Sequence, residues 1–227
     1  MKKRIGVVLS GCGFQDGAEI HEAVLTMLAI DRAGAEIVCM APDRDQADVI
    51  DHLRGKPTRE TRNVLVEAAR IARGRILPVN EVRVADLDAV MLPGGYGAAK
   101  NLSTFAKDGA QCSVDPDVAK LLQDMHRSGK PIGALCIAPV VLAAVFGKSL
   151  HPQVTIGDDE GTAQALESMG ATHHAAKVTE VVVDRENRIV TTPAYMLEAR
   201  IGDIATGVEK AVEKVLELAA RGSPAHA

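Results

Sequence analysis

Lys130-Pro131-Ile132-Gly133-Ala134-Leu135-Cys136-Ile137-Ala138-Pro139-Val140-Val141-Leu142-Ala143-Ala144-Val145 reads as an apolar strand that runs into a cysteine and then, with no loop between, into an apolar helix carrying a proline in its first turn. A strand and a helix joined that tightly make a sharp turn. This is the geometry of a nucleophile elbow, which lifts one side chain above the carboxyl end of a sheet. The helix N-terminus beside it favours a thiolate, so the turn predicts a reactive Cys136. A small buried core cysteine would give the same pattern, since free cysteine is among the most buried residue types. The spacing alone leaves both readings open.

Working outward, short β-rich runs alternate with helical patterns, the mark of βαβ units and a mostly parallel sheet. Strands are predicted at residues 5–9, 36–40, 89–92, 131–135 and 154–156, and an antiparallel hairpin at 180–184 and 188–192 turning through Arg185-Glu186-Asn187. The unbroken apolar run Ala89-Val90-Met91-Leu92 is what a strand covered on both faces requires. Asp16, with Glu19 three residues on, predicts a capped helix from near Gly17. Asp115-Pro116 opens another helix that Gly129 closes, and an amphipathic helix is expected from Ile201 to Arg221. The polar stretch from about 43 to 80 reads as an elaboration of one domain spanning residues 1–227, with Val49-Ile50-Asp51-His52-Leu53 as a small strand and 63–73 as a helix.

Composition bounds the function. The chain has 227 residues, 47% of them hydrophobic, and a formal charge of −4 that is spread along it. No basic patch marks nucleic acid or an anionic membrane as a partner. The longest uncharged run, Pro131 to Gly147, falls short of the ~20 apolar residues that span a bilayer. Met1-Lys2-Lys3-Arg4 gives way too soon to Gly11 for a secretory signal. Cys12, Cys39, Cys112 and Cys136 have no metal-ligand spacing, so free thiols and a cytoplasmic location are expected. Cys39 reads as core. Cys12, at the tip of Gly11-Cys12-Gly13, falls at the same sheet end as Cys136.

Two further elements converge on the elbow. Leu92-Pro93-Gly94-Gly95-Tyr96 follows a strand, and its consecutive glycines can offer N–H groups to an oxyanion together with the N–H of Ile137. Glu22 lies on the helix after the first strand. Buried in the cleft, its carboxyl would rise in pKa and shuttle a proton; on an open helix face it would be an ordinary solvated glutamate.

The opening strings Ile5-Gly6-Val7-Val8-Leu9-Ser10-Gly11-Cys12-Gly13 and Ala18-Glu19-Ile20-His21-Glu22, with Pro93-Gly94-Gly95-Tyr96-Gly97-Ala98-Ala99-Lys100-Asn101-Leu102, Cys136-Ile137-Ala138-Pro139 and Thr191-Thr192-Pro193-Ala194-Tyr195, resemble the PfpI/ThiJ superfamily. Within it the resemblance is to the isoprenoid-associated, ElbB-type branch and to mitochondrial ES-one-like proteins. It implies an α/β, flavodoxin-like three-layer sandwich of the class I glutamine amidotransferase type, commonly a homodimer. It also implies Cys136 as nucleophile, Glu22 as its acidic partner and Gly94 and Gly95 as the oxyanion loop. One element departs: many relatives carry a histidine after the strand that follows the elbow helix, where this chain has Val154-Thr155-Ile156-Gly157-Asp158-Asp159. Amide hydrolysis needs a base there. The resemblance therefore implies a glutathione-independent glyoxalase, a lyase of the hydro-lyase type that takes small aldehydes with no metal or organic cofactor. The rival expectation is a cysteine-based redox sensor or a regulator tied to isoprenoid metabolism.

Overall fold

The structure is a computed structural model and describes residues 2–220. Its strands are β1 (Arg4–Val8), β2 (Glu36–Ala41), β3 (Ile50–Asp51), β4 (Lys56–Pro57), β5 (Ile76–Pro78), β6 (Ala89–Leu92), β7 (Ile132–Leu135), β8 (Gln153–Val154), β9 (Thr172–His173), β10 (Val182–Asp184) and β11 (Ile189–Thr192). The α-helices are α1 (Ile20–Arg32), α2 (Val64–Ile71), α3 (Tyr96–Lys100), α4 (Phe105–Asp108), α5 (Pro116–Arg127), α6 (Pro139–Leu150), α7 (Glu160–Ser168) and α8 (Ile201–Ala220). The main sheet runs β10-β11-β7-β6-β1-β2-β5. Every neighbouring pair in it is parallel except the β10–β11 hairpin.

Alternation along the strands divides the apolar side chains between two cores. In β6, Val90 and Leu92 enter one core with α5 and α6 residues such as Leu122 and Val141. Ala89 and Met91 enter the other, with α1, α2 and α8 residues such as Ile30, Ala68 and Val212. This is the expected flavodoxin-like sandwich, with helices on both faces of a mostly parallel sheet. Among the described residues no helix is long and apolar enough to cross a membrane.

Several boundaries differ from expectation. Residues 154–156 do not form a strand of the main sheet: Gln153–Val154 pairs in parallel with Thr172–His173 as a separate two-stranded sheet. The stretch from 43 to 80 is not wholly an addition, because Ile76–Pro78 within it forms the edge strand beside β2. Proline is tolerated there because an edge strand has one unpaired side. Asp16 does not cap α1; its carboxylate accepts from the Ile50 N–H at 2.7 Å, while Glu19 caps α1 by accepting from the Glu22 N–H at 2.7 Å. Asp115 does cap α5, accepting from the Asp117 and Val118 N–H groups. The expected end of the last helix at Arg221 lies outside the described residues, as does Met1.

A candidate cysteine and glutamate active site

The carboxyl ends of β1, β6, β7 and β11 share one edge of the sheet because these strands are mutually parallel. The chain leaves β1 toward β2 on one side and reaches β6 on the other, so a crevice opens at this switch of direction, where open parallel sheets bind ligands. Cys136 follows the last residue of β7, and its φ of +57° places a non-glycine residue in the left-handed region. Such a conformation costs of order 1–3 kcal/mol and persists only where the surroundings impose it. Here β7 and α6, which begins at Pro139, hold it from both sides.

Cys136 is 7% exposed, and the backbone N–H groups of Gly95 and Ile137 donate to its Sγ. Those two N–H groups bracket the space beside the sulfur where the oxygen of an attacked carbonyl would lie. Gly94 has a different task from the one expected of it. Its N–H donates to Glu22 Oε2 at 2.8 Å, and its carbonyl accepts from the Glu19 N–H at 2.9 Å. A Cβ at position 94 would stand 2.4 Å from Cys136 Cβ and 2.8 Å from Glu22 Oε2. Only glycine lets the loop come this close.

Glu22, in the first turn of α1, is fully buried. Its Oε1 accepts from the Tyr195 N–H at 3.1 Å, and its carboxyl is hydrogen-bonded to the Cys136 side chain. Burial, helped by the nearby Glu19 charge, pushes this carboxyl up to about 7 against the hydrogen bonds that favour its ionised form. The Cys136 thiol is also pushed up, by burial first and then by the charge of Glu22. This corrects the expectation of a standing thiolate. The helix N-terminus acts against loss of hydration and an adjacent carboxylate, and those two prevail. The pair instead suits proton transfer at the moment of attack: a thiol touching a carboxyl whose pKa lies near neutrality.

A cavity of about 370 Å³ opens onto Cys136. Phe14, Tyr96, Phe105, Ile137 and Met196 supply apolar walls, while Glu19, Asp159, Thr162 and Tyr195 supply polar ones. Among the described residues, no lysine, arginine or histidine lines it. Asp159, from the stretch where a histidine is absent, caps α7 by accepting from the Thr162 N–H. Three histidines serve structure elsewhere: His151 ends α6 and lies 2.9 Å from the Gly170 carbonyl oxygen, His126 packs on Phe146, and His173 accepts from the Ile156 N–H. His21 differs, since its Nδ1 lies 2.9 Å from the Tyr195 hydroxyl.

Cys12 does not join the lining; it is half-buried, with its thiol pushed up by burial and by Glu67. Cys39 is core, as expected, and burial raises its thiol to about 11. All four cysteines are free. Among the described residues, no group of three or more His, Cys, Asp or Glu could hold a metal ion. Sequence reasoning missed Tyr195, Glu19 and Asp159 as cavity residues. The usable signal for Tyr195 was its place just after a strand that lies next to the elbow strand.

Comparison with known proteins places the chain in a family. Residues 11–196 match the DJ-1/PfpI family. The human glutamine amidotransferase-like class 1 domain-containing protein 3, mitochondrial, is 47% identical over 95% of this chain and 83% of its own length. The zebrafish (Danio rerio) ES1 protein, mitochondrial, is 37% identical over 96% of this chain and 86% of its own. A crystal structure of an isoprenoid biosynthesis protein with an amidotransferase-like domain from Ehrlichia chaffeensis superposes with a TM-score of 0.88 at 36% identity, covering 94% of this chain and 99% of that one. The relatives' names correct the cytoplasmic expectation: the human and zebrafish proteins are both named mitochondrial.

Proposed function

Because the chain belongs to the DJ-1/PfpI family, which includes glyoxalases and peptidases among its enzymes, we propose that it is a glutathione-independent glyoxalase that converts glyoxal and similar small 2-oxoaldehydes to 2-hydroxy acids such as glycolate. The observation that carries this reading is that Cys136 and Glu22 Oε2 meet at Gly94, where Glu22 is buried and its carboxyl has a pKa of about 7. A carboxylate near neutrality both takes and returns a proton at working pH. In the reaction, Cys136 Sγ bonds to an aldehyde carbon while its proton passes to Glu22. The carbonyl oxygen gains negative charge, and the Gly95 and Ile137 N–H groups, released as the sulfur becomes a thioether, receive it. Glu22 returns the proton to that oxygen, giving a hemithioacetal.

Glu22 next removes the proton on the sulfur-bearing carbon and delivers it to the adjacent carbon. The first carbon is oxidised to a thioester and the second reduced to an alcohol, with no external electron carrier. Water then attacks the thioester, the 2-hydroxy acid leaves and the thiol is restored. No step requires the missing histidine. The redox-sensor alternative calls for thiolate character and exposure, whereas Cys136 is buried and its thiol is pushed up; this favours the aldehyde reading.

The test is glyoxal and methylglyoxal turnover for the wild type, Cys136→Ser and Glu22→Gln, with the hydroxy-acid product followed directly by NMR. Saturable turnover, reduced by at least ~100-fold in each variant, is the expected result. Product formation by Cys136→Ser at the wild-type rate overturns the proposal.

A further inference from the structure

Resting on the aldehyde reading above, the geometry points to Tyr195, backed by His21, as a second acid–base group of this site: the hydroxyl that protonates the substrate's second carbonyl oxygen during isomerisation. Glu22 alone has to serve the sulfur, the first carbon and the second carbon, while the second oxygen must also gain a proton for the enediol to form. Tyr195 is placed for that oxygen. It lines the cavity that exposes Cys136, and its own N–H clamps Glu22 Oε1, so the reacting carboxyl and the Tyr195 backbone are fixed to one another.

The loop that carries Tyr195 is held firmly. It leaves β11 at Thr192, turns through Pro193, and passes Ala194, a buried non-glycine residue at φ +46°. A left-handed alanine is costly, and what it secures is the entry of Tyr195 into the crevice. The hydroxyl then meets His21 on α1, one residue before Glu22, at 2.9 Å from Nδ1. A hydroxyl has one hydrogen to give and two lone pairs to receive with. With Nδ1–H of His21 donating to Oη, the phenol keeps its own hydrogen free for the substrate. The same N–H steadies the phenolate once that hydrogen has left. Burial and the charges of Glu19 and Glu22 push the phenol up, which keeps it protonated until it is used.

The proton balance closes. As Glu22 removes the C1 proton, the C1–C2 double bond forms and Tyr195 Oη gives its proton to the C2 oxygen, producing an enediol. Glu22 then protonates C2, the C1 hydroxyl proton passes to the Tyr195 phenolate, and the thioester carbonyl forms. Both residues end as they began.

The test follows ¹³C-labelled glyoxal by NMR with the full-length wild type, Tyr195→Phe, His21→Leu and His21→Gln. Tyr195→Phe is expected to form the Cys136 hemithioacetal as the wild type does, while kcat for glycolate falls ~100-fold and KM changes less than ~3-fold. His21→Leu is expected to lower kcat by ~10-fold, and His21→Gln, which keeps an N–H donor, to restore most of it. Glycolate formation by Tyr195→Phe within ~3-fold of wild type, or loss of its hemithioacetal, overturns the assignment of Tyr195. A wild-type protein that forms no hemithioacetal or no glycolate overturns the aldehyde reading itself.

Discussion

The carboxyl of Glu22 makes a prediction about stability that is separate from activity. Its pKa is about 7 in the fold against 4.5 for an ordinary glutamate. Between those values the unfolded chain binds fewer protons at this residue than the native one, so stability falls as pH rises through that window. A difference of roughly 2.5 units corresponds to about 3 kcal/mol of native-state stability, present below pH 4.5 and lost by pH 7 and above. Glu22→Gln removes the titration. It also sets an amide NH₂ against one of the two N–H donors, from Gly94 and Tyr195, that the carboxyl accepts, a pH-independent cost of about 1–3 kcal/mol. The variant is therefore expected to be up to about 2 kcal/mol less stable than wild type at pH 5, and the wild-type minus variant difference is expected to fall by about 2.5 kcal/mol by pH 8, where the variant becomes the more stable protein. The chain has no tryptophan, so urea unfolding followed by far-UV circular dichroism at pH 5, 6, 7 and 8 is the assay. A wild-type minus variant difference that stays constant within ~0.5 kcal/mol across that range refutes the buried, raised carboxyl.

Two other predictions concern the cavity. Gly94→Ala puts a Cβ into Cys136 Cβ and Glu22 Oε2; it is expected to lower kcat/KM at least ~10-fold and stability by about 1–3 kcal/mol, whereas Gly202→Ala, with open space around its site, is expected to be neutral or stabilising by up to ~1 kcal/mol. Equal behaviour of the two variants in turnover and urea unfolding refutes the close approach. Glu19 and Asp159 in a cavity lined by no cation among the described residues predict that phenylglyoxal is turned over with kcat/KM at least ~10-fold above a carboxylate-bearing 2-oxoaldehyde, and that Asp159→Asn, which keeps the helix cap, narrows the gap. Turnover indifferent to substrate charge refutes this.

The sheet and the placement of Cys136 were legible in the sequence because each rests on a local pattern. Four apolar residues at 89–92 form the same strand in the structure, and a strand meeting a helix at Cys136 leaves little freedom over where that side chain goes. The Ile76–Pro78 strand was not legible. Three residues containing a proline carry no period of their own, and only the open edge of β2 makes them a strand. Val154 misled for the opposite reason: its run is apolar enough for a core strand, yet the place beside β7 is filled by β11.

The surroundings of Glu22 fell between these cases. The helical pattern could place Glu22 on the helix after the first strand but not show what covered it. The cover comes from two loops far apart in sequence, whose backbone N–H groups at Gly94 and Tyr195 each take one carboxyl oxygen. Backbone donors leave no signature in residue type, since any residue but proline supplies one. Motif reading therefore found the glycines, where space restricts the choice, and misassigned one of them, because space alone does not say which acceptor an N–H will meet. At position 94 the acceptor is the carboxylate that serves the sulfur. At 95 and 137 it is the sulfur itself, so the loop expected to bind only an oxyanion also holds Glu22, and the proposed chemistry and the burial of Glu22 depend on the same turn.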